Sequence, residues 1–257
     1  MTTELKNADG HHEIADITSP KRRPNVLIVV ANPGTSTTTG WPVGFWAAEL
    51  FHPLHLFTKR RYAVTVASPE GGKVELDAYS DPRDESRWSA DDVISMGSIN
   101  TPEIARLLED TPALADLDLD DFDAILVAGG QGPMFQFRDQ QGLKAAIATL
   151  YEAEKPTAAM CHGVAALIDA RLSDGSYLVE GKTVTGFANV EEDYSDEAVG
   201  QKVMPYRVED VLRERGANYI QAGLFKAFAV RDQNLITGQQ QYSGEKVAEL
   251  MIEALGD

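Results

Sequence analysis

Thr157-Ala-Ala-Met-Cys-His-Gly163 is the stretch on which the reading of this chain turns. Four small or apolar residues form a short strand, and they run straight into Cys161. Val164–Ala170 reads as the helix that follows. A cysteine on a sharp strand-to-helix turn is held above the sheet, the arrangement called a nucleophile elbow. The start of a helix favours negative charge, so this placement predicts a thiolate in preference to a thiol. Neighbouring backbone N–H groups can hold an oxyanion, and His162 can serve as base or proton shuttle. The alternative is a buried, inert cysteine at a strand end. Local sequence leaves both open.

Outward from the elbow, strands alternate with helices. Asn25–Ala31 is a continuous β-branched run, the pattern of a strand buried on both faces. Ala63–Ala67 and Ala124–Ala128 read as the next clear strands, and further strands are expected near Thr183–Thr185, Ala227–Val230 and Leu235–Thr237. Helices are expected at Gly44–Lys59, where Pro53 kinks the helix or marks a junction, and at Thr101–Glu109, Gln141–Glu154, Tyr206–Arg215 and Ser243–Leu255. Residues 73–121 are otherwise irregular and acidic. The alternation predicts an α/β fold: a three-layer sandwich with a mostly parallel central sheet. Ligands then bind beyond the carboxyl ends of the strands. Residues 1–24 read as a polar arm, with His11 and His12 an accidental pair, and residues 25–257 as a single domain.

Composition narrows the function. The chain has 257 residues, with 23 Lys+Arg against 40 Asp+Glu, for a formal net charge of −17. That balance argues against nucleic acid and anionic membrane as partners, since both need clustered cations. No apolar stretch is long enough for a membrane span, and no secretory signal is visible. The one cysteine excludes an internal disulfide or a Cys-rich zinc site, and it fits a reducing, cytoplasmic setting.

Three other segments bear on the elbow. Gly129-Gly-Gln-Gly132 ends a strand but has neither Walker nor dinucleotide spacing. It reads as a tight turn, from which a glycine backbone N–H can complete an oxyanion hole with that of His162. Glu49 lies among apolar residues on the first helix. It is either on a solvated face or buried, and burial would raise its pKa and let it carry a proton near neutrality. Glu49 and His52 could ligate a metal, but no third ligand is evident, so no metal is expected. Glu191-Glu192-Asp193 reads by default as a charge run in a loop, from which one carboxylate could orient His162.

These landmarks together resemble the ThiJ/PfpI superfamily, a flavodoxin-like fold related to class I glutamine amidotransferases. The similarity is greatest to its heat-inducible branch of glyoxalase III, protein deglycase and holding chaperone. It is carried by "AAELFHP" at 47–53, "VTVASPEGGK" at 64–73, "VAGGQGPMF" at 127–135, "AAMCHGVAAL" at 158–167, "LVEGKTVTGFANVEE" at 178–192 and "LITGQ" at 235–239. The resemblance implies Cys161 as nucleophile, Glu49 as its hydrogen-bonded glutamate, and His162 as the histidine. Glu192 would be the acidic partner, with Glu191 the close alternative, and Gly130 the oxyanion position. Three positions depart from the pattern: Gln131 where His is frequent, Val164 where Pro is common, and Gln240-Gln241-Tyr242 near the pocket. The implied activity is cofactor-free conversion of methylglyoxal, or a similar 2-oxoaldehyde, to a 2-hydroxy acid by a cytoplasmic homodimer acting in stress response. The alternatives are protein deglycation, another small-molecule hydratase or lyase reaction, and a chaperone or oxidative-stress sensor without catalysis.

Overall fold

The computed structural model describes residues 22–257 in full and, for residues 2–6 and 12–16, the backbone. Thr2–Lys6 and His12–Asp16 pair antiparallel. The rest of the expected arm, His11 included, lies outside the described residues.

Six strands form the central sheet: β1 (Asn25–Val29), β2 (Ala63–Ala67), β3 (Ala124–Val127), β4 (Thr157–Met160), β5 (Ala229–Asp232) and β6 (Leu235–Gly238). Their order is β5-β6-β4-β3-β1-β2, parallel throughout except for the edge strand β5. All of β3 and β4 is buried, and so is β1 after Asn25. This is why these strands are continuous apolar runs: helices cover both faces, so alternation has no purpose.

The main helices are α1 (Ala47–Lys59), α2 (Val93–Ile99), α3 (Gln141–Glu152), α4 (Asn189–Val199), α5 (Val208–Glu214) and α6 (Gly244–Ala254). α1 packs on α6 and α2 against one face of the sheet. α3, the short helix Ala165–Ile168 and α5 pack together on the other. The fold is the expected α/β sandwich. Among the described residues no helix is long and apolar enough to cross a membrane.

Several local expectations are corrected. Gly44–Trp46 is extended, and α1 starts only at Ala47, because Phe45 exchanges backbone hydrogen bonds with Glu75 and Asp77. The helix runs on through Pro53, whose missing N–H leaves the Glu49 carbonyl without its helical donor. Residues 164–170 are not one helix: Cys161–Val164 is a 3₁₀ turn, followed by one turn of α-helix. Glu191-Glu192-Asp193 is no loop but the first turn of α4. Glu191 reaches back to accept the Ala188 N–H, and Gly200 closes the helix in the left-handed region. Thr183–Val184 pairs with Asn218–Tyr219 in a separate two-stranded ribbon, outside the main sheet.

Candidate active site

The carboxyl ends of β3 and β4 meet at one pocket, where Gly130 and Gln131 follow the first and Cys161 and His162 the second. β4 delivers Cys161 with φ of +55°, a left-handed conformation uncommon for a residue with a side chain. Holding such a residue costs on the order of 1–3 kcal/mol, and it persists only where the surroundings enforce it. The turn also needs a glycine two residues on. A Cβ at Gly163 would sit 2.6 Å from the Val127 carbonyl oxygen, so the turn can press against β3 only without one.

Glu49 reaches the sulfur from α1. Its side chain is fully buried, and Oε2 accepts the Gly129 N–H at 2.7 Å. Oε1 makes no hydrogen bond, and the Cys161 thiol lies beside the carboxyl. Burial pushes the Glu49 pKa from 4.5 to about 8, with the thiol and the Gly129 N–H pulling against it and Asp77 adding to it. At neutral pH the group is therefore a carboxylic acid, able to donate to sulfur.

The expected low thiol pKa is corrected. Cys161 is 2% exposed, and burial pushes its pKa well up, reinforced by the negative charge of Glu49 when that group ionises. The N–H groups of His162 and Gly130 aim at the sulfur and oppose the rise. A helix dipole contributes little, because the helix after the elbow is a single turn. The sulfur thus rests as a thiol. The picture of an exposed, acidic, readily oxidised cysteine does not fit it.

A proton acceptor lies beside it. His162 Nδ1 is 3.9 Å from Cys161 Sγ, and Nε2 is 2.9 Å from Glu192 Oε1. A carboxylate accepting from Nε2–H leaves the Nδ1 lone pair toward the sulfur. The imidazole is also clamped against the Phe187 ring, with centroids 4.3 Å apart. Glu191 is turned elsewhere: its oxygens accept from the N–H groups of Ala188 and Phe225 and from the Gln239 amide. Adjacent residues on a helix point about 100° apart, so only one of the two can face His162.

The Gly130 loop is held by Asp77, which the sequence reading missed. Its carboxylate accepts the Gly44 N–H at 2.8 Å and the Gln131 N–H at 2.5 Å. Burial raises its pKa from 3.8 to about 6, against those two donors. The only signal was one acid between Leu76 and Ala78, indistinguishable from its exposed acidic neighbours. Gly130 itself has φ of +105°, and a Cβ there would lie 2.5 Å from the Trp46 nitrogen. Glu49, Gly130, Cys161, His162 and Glu192 therefore come together, and Gln131 borders the same cavity. His52 does not join them, since its Nε2 pairs with Asp92 at 2.9 Å. Among the described residues no group of three His, Cys, Asp or Glu side chains is placed to hold a metal ion.

What this arrangement can do is covalent carbonyl chemistry. It offers a nucleophile, two N–H donors for an oxyanion, a base oriented by a carboxylate, and a carboxylic acid that holds its proton near neutrality.

The chain is similar to several known proteins. Glyoxalase 3 of Candida albicans is 29% identical over 225 residues, covering 86% of this chain and 93% of that protein. The crystal structure of glyoxalase III from the same organism superposes with a TM-score of 0.74 at 26% identity, covering 90% of this chain and 97% of that one. The X-ray structure of the Rapid Encystment Protein of 24 kDa from Francisella tularensis gives a TM-score of 0.83 at 27% identity, covering 91% of this chain and all of the other. The pattern of the DJ-1/PfpI family matches residues 43–254, which span both the elbow and the glutamate that faces it, and the chain belongs to that family.

Proposed function

We propose that this protein is a glutathione-independent glyoxalase, converting a 2-oxoaldehyde such as methylglyoxal to the 2-hydroxy acid. The observation that carries the reading is the strained Cys161, with the buried Glu49 carboxyl beside it and His162, paired to Glu192, 3.9 Å from its sulfur. The curated Candida albicans relative, similar over most of its length, supports it.

The chemistry follows from the geometry. His162 Nδ1 takes the thiol proton as Sγ adds to the aldehyde carbon, and the Gly130 and His162 N–H groups hold the oxyanion. Protonation gives a hemithioacetal. His162, its proton given up in that step, removes the hydrogen from that carbon, and the resulting enediol, beside the protonated Glu49 carboxyl, is reprotonated by His162 at the neighbouring carbon. The aldehyde carbon is thereby oxidised and the ketone carbon reduced, with no external oxidant. Water hydrolyses the thioester, releasing the 2-hydroxy acid and restoring the thiol. Glutathione has no part in this sequence, because the protein supplies the sulfur.

Cys161→Ala and Glu49→Gln should each abolish lactate formation from methylglyoxal in glutathione-free buffer, since positioned proton transfer contributes about 10²–10⁴-fold. Full activity in Cys161→Ser would sink the proposal. In the same reading residues 25–257 act as one domain and residues 1–24 as an arm, in a cytoplasmic homodimer. Sedimentation equilibrium tests the dimer.

A further inference from the structure

The cavity over Cys161 has room for far more than one water-sized group. It offers about 250 Å³, whereas a single water needs only on the order of 10–15 Å³ on the same measure. Two rows of aromatic rings line it. Trp41, Tyr79 and Trp88 follow one another edge to face, with centroids 6.3 and 6.5 Å apart. Tyr194, Phe225 and Phe187 do the same at 5.3 and 6.4 Å, and Phe187 ends on the His162 ring. The rows run from solvent inward: Trp88 is 55% and Tyr194 43% exposed, but Phe187 only 7%. Among the described residues no lysine or arginine borders the cavity, whereas Glu192 does.

From this lining we infer that the preferred substrate is an uncharged 2-oxoaldehyde bearing an aromatic or bulky apolar substituent, not methylglyoxal. The inference rests on the glyoxalase reading and specifies its substrate class. A methyl group would leave the aromatic rows facing water, while an aryl group removes apolar surface from water on both partners and stacks edge-to-face or offset. A phosphate or carboxylate on the substrate would enter an apolar site with no cation to pair it and a carboxylate nearby. The same lack of a cation favours departure of the product, a 2-hydroxy carboxylate. For phenylglyoxal the balance is as above: hydrogen passes from the aldehyde carbon to the ketone carbon, and water releases mandelate.

The test is kcat/KM of the intact protein for phenylglyoxal, methylglyoxal and the anionic hydroxypyruvaldehyde phosphate, followed by chromatography of the hydroxy acid. One methylene in an apolar pocket is worth about 10–200-fold, so phenylglyoxal should exceed methylglyoxal by at least that range, and the phosphate should be the poorest. Intrinsic aldehyde reactivity is separated by mutation. Trp88→Ala combined with Tyr194→Ala should lower the phenylglyoxal-to-methylglyoxal ratio about tenfold or more, while Tyr194→Phe should keep it. Both side chains are largely exposed, so truncation leaves the core intact. Methylglyoxal or the phosphate turned over as well as phenylglyoxal, or a ratio unmoved by the double substitution, overturns the substrate class alone. No turnover of any of the three overturns the glyoxalase reading and this inference with it.

Discussion

Replacing Glu49 with Gln should make the folded protein more stable while removing its activity, and the stability gain should depend on pH. The carboxyl titrates at 4.5 when unhindered and at about 8 in the folded protein, because it is fully buried. Between those values the folded chain holds a proton that the unfolded chain has released. Stability therefore falls as pH rises from 4.5 to about 8. Each unit is worth ~1.4 kcal/mol, so near neutral pH the buried acid costs about 3 kcal/mol. Glutamine is uncharged in both states and escapes this cost. Its carbonyl can still accept the Gly129 N–H, leaving the NH₂ toward the sulfur. Near neutrality the variant should thus gain about 3 kcal/mol, or roughly 6–12 °C in Tm for a chain of this size. Near pH 5 the two proteins should differ by less than about 1 kcal/mol, because the unfolded chain is then partly protonated as well. Denaturant and thermal unfolding at both pH values, beside the lactate assay, test the reasoning. A variant less stable than the parent near neutrality would refute it, as would a difference that is the same at both pH values.

Other expectations follow from the same geometry. Glu192→Gln should lower kcat about 10²–10⁴-fold with little change in KM, because an amide can present N–H to Nε2 and select the tautomer that places the proton between Nδ1 and the sulfur. Glu191→Gln serves as the comparison: it should lower Tm more than kcat, since Glu191 serves backbone and amide donors and not the histidine. Gly130→Ala should remove activity and lower Tm, because the new Cβ meets the Trp46 nitrogen at 2.5 Å on a backbone with φ of +105°. Finally, kcat/KM for the oxoaldehyde should decline as pH rises through about 8, where Glu49 loses the proton it shares with the sulfur and becomes a repelling charge. A profile that stays level well beyond that value would refute the assignment.

The parts of the fold legible in the sequence share a physical origin. Asn25–Val29, Ala124–Val127 and Thr157–Met160 are unmixed apolar runs because helices cover them on both sides, so burial is written into local composition. The acidic Asn189–Val199 helix was not legible, since its face is largely polar. Its marks were only Gly200 after it and Glu191 reaching back before it. The elbow was readable because a small-residue strand, a cysteine and a glycine follow in direct succession. Asp77 was not, since its two donors come from Gly44 and Gln131, far away in the chain.

By itself the sequence determined the sheet and the elbow, local facts of side-chain chemistry and hydrophobic period, and its family resemblance named the groups expected there: Cys161, His162, Glu49, Gly130 and one of two adjacent glutamates. Tertiary structure decided what state those groups occupy. The placement of α4 turned Glu192 to His162 and Glu191 away from it. The closing of α1 over β3 and β4 buried acid and thiol together, which raised both pKa values where a helix start alone had suggested a thiolate. Desolvation depends on every atom packed around a group, whatever its distance along the chain, and no local pattern records that sum.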